Sequence, residues 1–212
     1  MFSLIEDVFL HLTPTGAYRA VIGGTEEPVD RLVRSLLRRE DTPRLTIAEV
    51  ATLTGVTNHQ RATGLVYQAQ EAGLVEGLDR PGSVSDEPFG ELLDRVLSGM
   101  SDRGQVVLAG DSGTPLASTG FPTDAASRLG AMACEHEELT SRFARLLDEM
   151  GERSTTSMAL VDRLGVATLG WWTLRFADRR LRLIIGGLPR FNQPEFTELT
   201  WALAQRRDGA PP

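Results

Sequence analysis

The stretch VVLAGDSGTPLAS, residues 106–118, decides how the second half of this chain is read. Its apolar start and its PLAS end are separated by Asp111-Ser112-Gly113, where an acid and a glycine suit a tight turn, so strands are expected over 105–109 and 115–118. Working outward toward the N-terminus, Phe89, Leu92, Leu93, Val96, Leu97 and Met100 keep one face at helical spacing, which predicts a helix over 87–100. On the other side, Leu129, Met132, Ala133, His136, Leu139, Phe143, Leu146, Leu147 and Met150 recur every three or four residues, predicting one long helix over 123–150 with Gly151 as its stop. Three strands are expected next, over 155–162, 166–176 and 180–185, punctuated by Arg163-Leu164-Gly165 and Ala177-Asp178-Arg179. Pro194 then opens a helix through Phe196, Leu199 and Leu203.

The order helix, two strands, helix, three strands, helix resembles the roadblock/dynein light chain family over about residues 87–206. VVLAGDSGTPLAS is similar to that family's first hairpin, and GVATLGWWTLRFADRRLRLIIGG at 165–187 is similar to its long strand pair. The departures are a serine within the Asp-Gly turn and a long second helix. The resemblance implies an αββαβββα domain with a five-stranded antiparallel sheet. It also implies a homodimeric platform that binds partners, small Ras-like GTPases among them, and carries no catalytic residue. Pairing or partner surfaces would fall on the second helix, 123–150, and on the strand at 155–162 with Met158 and Leu160. Trp171 and Trp172 alternate faces on a strand, and Trp172 shares the more apolar face with Val166, Thr168, Leu174 and Phe176. Trp171 is therefore the expected interface tryptophan, the alternative being that helices cover both sheet faces and both tryptophans with them.

A boundary is expected at DRPGSVSDE, 79–87, which gathers Pro, Gly, Ser and acids. The fold expected overall is α+β, with a winged helix-turn-helix domain over 1–82 and the roadblock-like domain over 87–207. In the first part, Thr13-Pro14-Thr15-Gly16 reads as a turn joining strands over 4–12 and 17–22, a leading β-hairpin. Val29, Leu32, Val33, Leu36 and Leu37 predict an amphipathic helix with Arg31, Arg34, Arg38 and Arg39 mainly on its other face. Beyond Pro43, two helices around a glycine turn and a short strand follow, with Gly77 as a wing tip. IAEVATLTGV and QEAGLVE resemble winged helix-turn-helix proteins at Ala51 and Gly55, although the second helix or its turn is about one residue longer than the common pattern and Gly64 sits inside it. That resemblance implies double-stranded DNA as a partner. The base readers would be Asn58, His59, Gln60, Arg61 and Thr63, with Arg34, Arg38 and Arg39 on phosphates; the alternative is that these arginines form a solvated face and the module binds protein.

Charge limits that reading. The 212-residue chain carries 22 basic and 29 acidic residues for a net −7, and every basic residue is arginine. Through Gly82 there are 8 arginines against 11 acids, so the DNA-binding candidate is not broadly basic, as phosphate neutralisation would require. A missing lysine, attributable to the codon bias of a GC-rich genome, also removes P-loop and Schiff-base chemistry. One cysteine, Cys134, excludes an internal disulfide, and no apolar run approaches ~18 residues, so a cytoplasmic protein without membrane contact is expected.

Other chemical look-alikes fail on geometry. GDSGTP at 110–115 resembles the nucleophile surround of trypsin-like proteases, but only His136 is at hand as a base, and the serine protease's disulfides and histidine signature are absent. Ser112 thus reads as a turn residue. Cys134 and His136 project to different sides of a helix, so CEHEE at 134–138 offers no zinc set, and His136 continues the apolar stripe as a structural histidine. The glycine pairs after Ile22 and Ile185 lack dinucleotide spacing. No cofactor, metal or catalytic residue is expected.

Overall fold

The computed structural model describes residues 8–23, 26–149, 157–177 and 179–206. Residues 4–7 of the expected first strand, Gly24, the Leu147 side chain, Met150, the stop at Gly151, residue 155 and Asp178 lie outside the described residues. Two compact units make up the chain, the first running to Glu87 and taking in the segment from Phe191 onward, the second spanning Pro88–Arg190.

The first unit is a helical module closed by a two-stranded antiparallel ladder of β1 (Phe9–Leu12) and β2 (Val75–Leu78). The leading hairpin expected from TPTG is absent, because these residues start helix α1 (Pro14–Val21). Thr13 Oγ1 accepts from the Gly16 amide at 3.1 Å, and Pro14 takes the first helical position, where it has no donor to lose. Gly16 is demanded by a close approach, since a Cβ there would run into the Leu74 carbonyl oxygen. Gly77 is not a wing tip either; it sits inside the ladder, opposite Leu10.

Helix α2 (Pro28–Leu37) buries Leu32, Val33, Leu36 and Leu37, and α3 (Ile47–Thr54) and α4 (His59–Glu71) form the expected helix pair. Thr46 caps α3 through the Glu49 amide, Asn58 caps α4 through the Arg61 amide, and Gly55 ends α3 at φ 74°, where a Cβ would be strained. The expected linker is strapped to this unit: Thr42 accepts from the Gly82 amide at 2.8 Å, and the Val84 amide donates to Glu40 O.

Helix α8 (Pro194–Gln205) belongs to the first unit, so the second domain does not extend to 207 as expected. Phe196 is fully buried, with Phe191 at 4.8 Å and Tyr18 at 6.2 Å between ring centroids. The Trp201 indole donates to Arg39 O at 2.6 Å, and Gln205 Nε2 reaches both that carbonyl and Leu37 O, the latter a loose C-terminal acceptor of α2 and the former just beyond the helix end. An apolar stripe states that a helix is buried but not which core it joins, hence the difference from the sequence reading.

The second unit follows the predicted order closely. Helix α5 (Phe89–Leu97) runs into a 3₁₀ turn, Ser98–Met100, and precedes the hairpin of β3 (Gln105–Ala109) and β4 (Pro115–Thr119). Helix α6 (Thr123–Arg142) breaks at Phe143 into a short α7 (Ala144–Glu149), where one unbroken helix was expected. Strands β5 (Ser157–Val161), β6 (Ala167–Phe176) and β7 (Arg179–Gly186) complete a five-stranded antiparallel sheet in the order β4-β3-β7-β6-β5. In the hairpin turn, Gly113 stands at φ 80° and the Gly110 amide donates to Thr114 O. This turn lies so tightly on α6 that a Cβ on Gly130 would meet the Gly113 carbonyl. Both sheet faces are covered. Val107, Ala109, Trp171 and Ile184 pack with Ala126 and Ala133 of α6, while Val106, Leu108, Leu174, Leu183 and Ile185 are buried on the opposite face.

Candidate functional site

Two surfaces hold the residues singled out by sequence, and a third, a charged one, was not foreseen. On the first, at the N-terminal end of α4, His59, Gln60 and Arg61 are exposed and their side chains make no hydrogen bond among the described residues. Asn58 spends its side-chain oxygen on the cap. Thr63 cannot reach a base edge: it is 4% exposed, and its hydroxyl donates to His59 O at 3.0 Å. Of the arginines expected on phosphates, Arg34 contacts Glu26 at 3.5 Å and Arg39 pairs with Glu49, leaving Arg38 exposed without an ion pair among the described residues. Gly64, half-exposed, has nothing within 4 Å of a hypothetical Cβ, so no close packing inside the unit requires it.

A second surface lies at the β5 edge of the sheet. Met158 stands opposite Trp171 and Leu160 opposite Leu169, which puts both on the face that α6 covers. They remain 42% and 46% exposed. Past His136 the apolar stripe of α6 also runs out of cover, with Leu139 49% and Phe143 52% exposed. The alternation argument failed for Trp171, which lies in the α6-facing core and is 4% exposed. Trp172, half-buried on the other face, lies against Gly170, where a Cβ would come within 2.6 Å of its ring. Tryptophan alternation names two faces but cannot tell which one a helix will cover when both are covered.

At the far end of the α6-covered face the sheet becomes charged. Arg175 and Arg180 are cross-strand partners, as are Thr173 and Arg182, so three guanidiniums gather over two strands. Arg182 Nη2 donates to Glu137 Oε2 at 2.7 Å and Nη1 to the Gly110 and Asp111 carbonyls at 2.9 Å each. Arg180 holds the other Glu137 oxygen at 3.0 Å and Asp111 at 3.4 Å. Sequence reasoning missed this cluster. Its signal was Arg180 and Arg182 at strand period ahead of the apolar run Leu183-Ile184-Ile185, which puts both on one face.

Neither look-alike motif assembles chemistry here. Ser112 Oγ lies 3.0 Å from Thr114 Oγ1, while His136 Nδ1 accepts from the Trp171 indole at 3.3 Å, and the two rings meet edge-on at 5.1 Å. Burial pushes the Cys134 thiol above its ordinary value, against the opposing pull of Arg182 and with Glu137, Glu138 and Asp111 adding to the rise. Among the described residues, no group of three His, Cys, Asp or Glu side chains could hold a metal, and no helix is long and apolar enough to cross a membrane.

Solved structures similar to this chain include a roadblock/LC7 domain from Streptomyces avermitilis, 13% identical, with a TM-score of 0.35 over 57% of this chain and 92% of that one. Myxococcus xanthus MglB is also similar, at 13% identity and a TM-score of 0.32, over 58% of this chain and 89% of its own. No family model matches the chain, and no curated protein matches it. The function of the second unit is argued below from its own surfaces.

Proposed function

We propose that this chain is a non-enzymatic, cytoplasmic regulatory adaptor that pairs with a second copy of itself through its roadblock-like unit and binds a partner such as a small Ras-like GTPase. The observation that carries this is the bare edge: β5 has no outer strand partner among the described residues and presents Met158 and Leu160 on the same sheet face as the uncovered end of the α6 stripe. Unpaired N–H and C=O groups beside exposed apolar side chains invite a strand or helix from another chain. A two-fold contact satisfies both copies at once, because the same patch serves each. Light scattering of the full chain is expected to give a dimer, and Met158→Asp with Leu160→Asp a monomer whose far-UV spectrum is unchanged. A concentration-independent monomer of the unaltered chain sinks the pairing. A nucleotide-dependent pull-down with the small GTPase encoded nearest the gene tests the partner; retention in neither nucleotide state removes the GTPase.

A second reading, a dimeric DNA-binding regulator, draws on the exposed, unengaged His59, Gln60 and Arg61 at the start of α4. Under it, genomic fragments bind more weakly as salt rises, and Gln60→Ala with Arg61→Ala removes base discrimination worth about 1–3 kcal/mol per lost contact. Absence of binding at low salt eliminates this reading.

A further inference from the structure

We propose that the cavity at the arginine end of the second unit's sheet binds a small anionic molecule, a carboxylate or monophosphate carried on a flat ring. The cavity, of about 250 Å³, is walled by α6 and by strands β6 and β7. This is small for a ligand pocket, about 300 Å³ being the usual lower end, and suits one ring with one acid group.

The charge arrangement indicates the sign of the ligand. Like charges set opposite each other across a strand pair repel, yet Arg175 and Arg180 face one another, with Arg182 next on the same face. The two acids that answer them, Asp111 and Glu137, are taken up by Arg180 and Arg182. Arg175 has no ion pair among the described residues and is exposed at the rim, where the one further acid of the lining, Glu138, also faces solvent. Deeper in, Arg182 is 4% exposed and its Nε is buried without a hydrogen-bond partner, a leftover donor that a protein interior rarely tolerates. An anion bound between Arg175 and Arg180 relieves the repulsion and supplies the acceptor side of charge-assisted hydrogen bonds, the geometry in which arginine takes carboxylates and phosphates. The Trp171 and His136 rings, packed edge-on in the lining, offer the ring of the ligand its apolar contact.

Nuclear magnetic resonance on the full chain tests this with benzoate, phenyl phosphate and the neutral isostere benzamide. The Trp171 indole N–H and the Arg182 Nε–H are expected to shift saturably with benzoate or phenyl phosphate, the tighter of the two naming the acid, and not with benzamide. Arg175→Gln, at an exposed position outside the ion pairs, is expected to weaken binding about tenfold, the loss of one charge-assisted contact. No saturable shift with either anion up to about 10 mM overturns the proposal. So does equal binding of benzamide, or an unchanged affinity in the Arg175→Gln chain.

Discussion

Phe196→Ala is expected to destabilise the first unit by about 3–5 kcal/mol, the usual cost of emptying a fully buried aromatic site, while leaving the second unit's core folded. The side chain is 0% exposed and packs against Phe191 and Tyr18, all within the unit that holds α1 and α2. Losing the ring also loosens the helix whose Gln205 holds the Leu37 carbonyl at the end of α2 and whose Trp201 holds the Arg39 carbonyl just beyond it, so the damage spreads to that helix end. Hydrogen exchange followed by mass spectrometry on the full chain separates the outcomes. Peptides from α1, α2 and α8 should lose protection, and peptides from β3 and β7 should keep it. Loss of protection in β3 and β7 instead would return α8 to the second unit, where the sequence alone had put it.

That reversal shows what periodicity can and cannot carry. In the second unit element type, order and approximate ends follow from local pattern, since GDSG fixes a hairpin and the strands at 167–176 and 179–186 pair as neighbours in sequence, although β3 finds its other partner, β7, more than seventy positions later. In the first unit the decisive contacts are distant. β1 pairs with β2 more than sixty residues later, and α8 joins from beyond the whole intervening unit, so no local pattern could report either. TPTG was misread for a related reason. Threonine, proline and glycine signal a turn or a helix start equally well, and what selects the helix is the Thr13 hydroxyl on the Gly16 amide together with Leu74 pressed against Gly16.

The candidate surfaces divide in the same way. Exposure of His59, Gln60 and Arg61 followed from the helix-turn-helix pattern, but burial of Thr63 depends on which side of α4 meets the core, and half a helical turn decides it. Met158 and Leu160 were expected on a pairing surface only through the family resemblance, and they are exposed because β5 is the edge strand of the sheet. The arginine corner was overlooked, its strand-period signal notwithstanding, because an arginine in a strand reads as a solvent-facing residue, whereas Arg182 points into the α6-covered face and is held there by an acid forty-five positions earlier.

The Arg182–Glu137 pair should therefore show a marked asymmetry between its two halves. Glu137→Ala is expected to cost the second unit about 3–5 kcal/mol, because it strands a guanidinium whose side chain is 5% exposed with only backbone carbonyls as partners. Arg182→Met should cost distinctly less. Its loss leaves Glu137 with Arg180 at 3.0 Å and the Thr173 hydroxyl at 3.4 Å, and methionine fills much of the vacated space with apolar volume. Urea unfolding followed by tryptophan fluorescence reads both, since Trp171 lies in this unit's core. Combining Glu137→Ala with Arg182→Met should recover most of the single Glu137 loss, because the penalty lies in the unpaired charge and not in the missing attraction. Equal costs for the two single changes, or an additive double variant, would mean that water reaches the guanidinium and that the pair is a surface contact worth no more than about 1 kcal/mol.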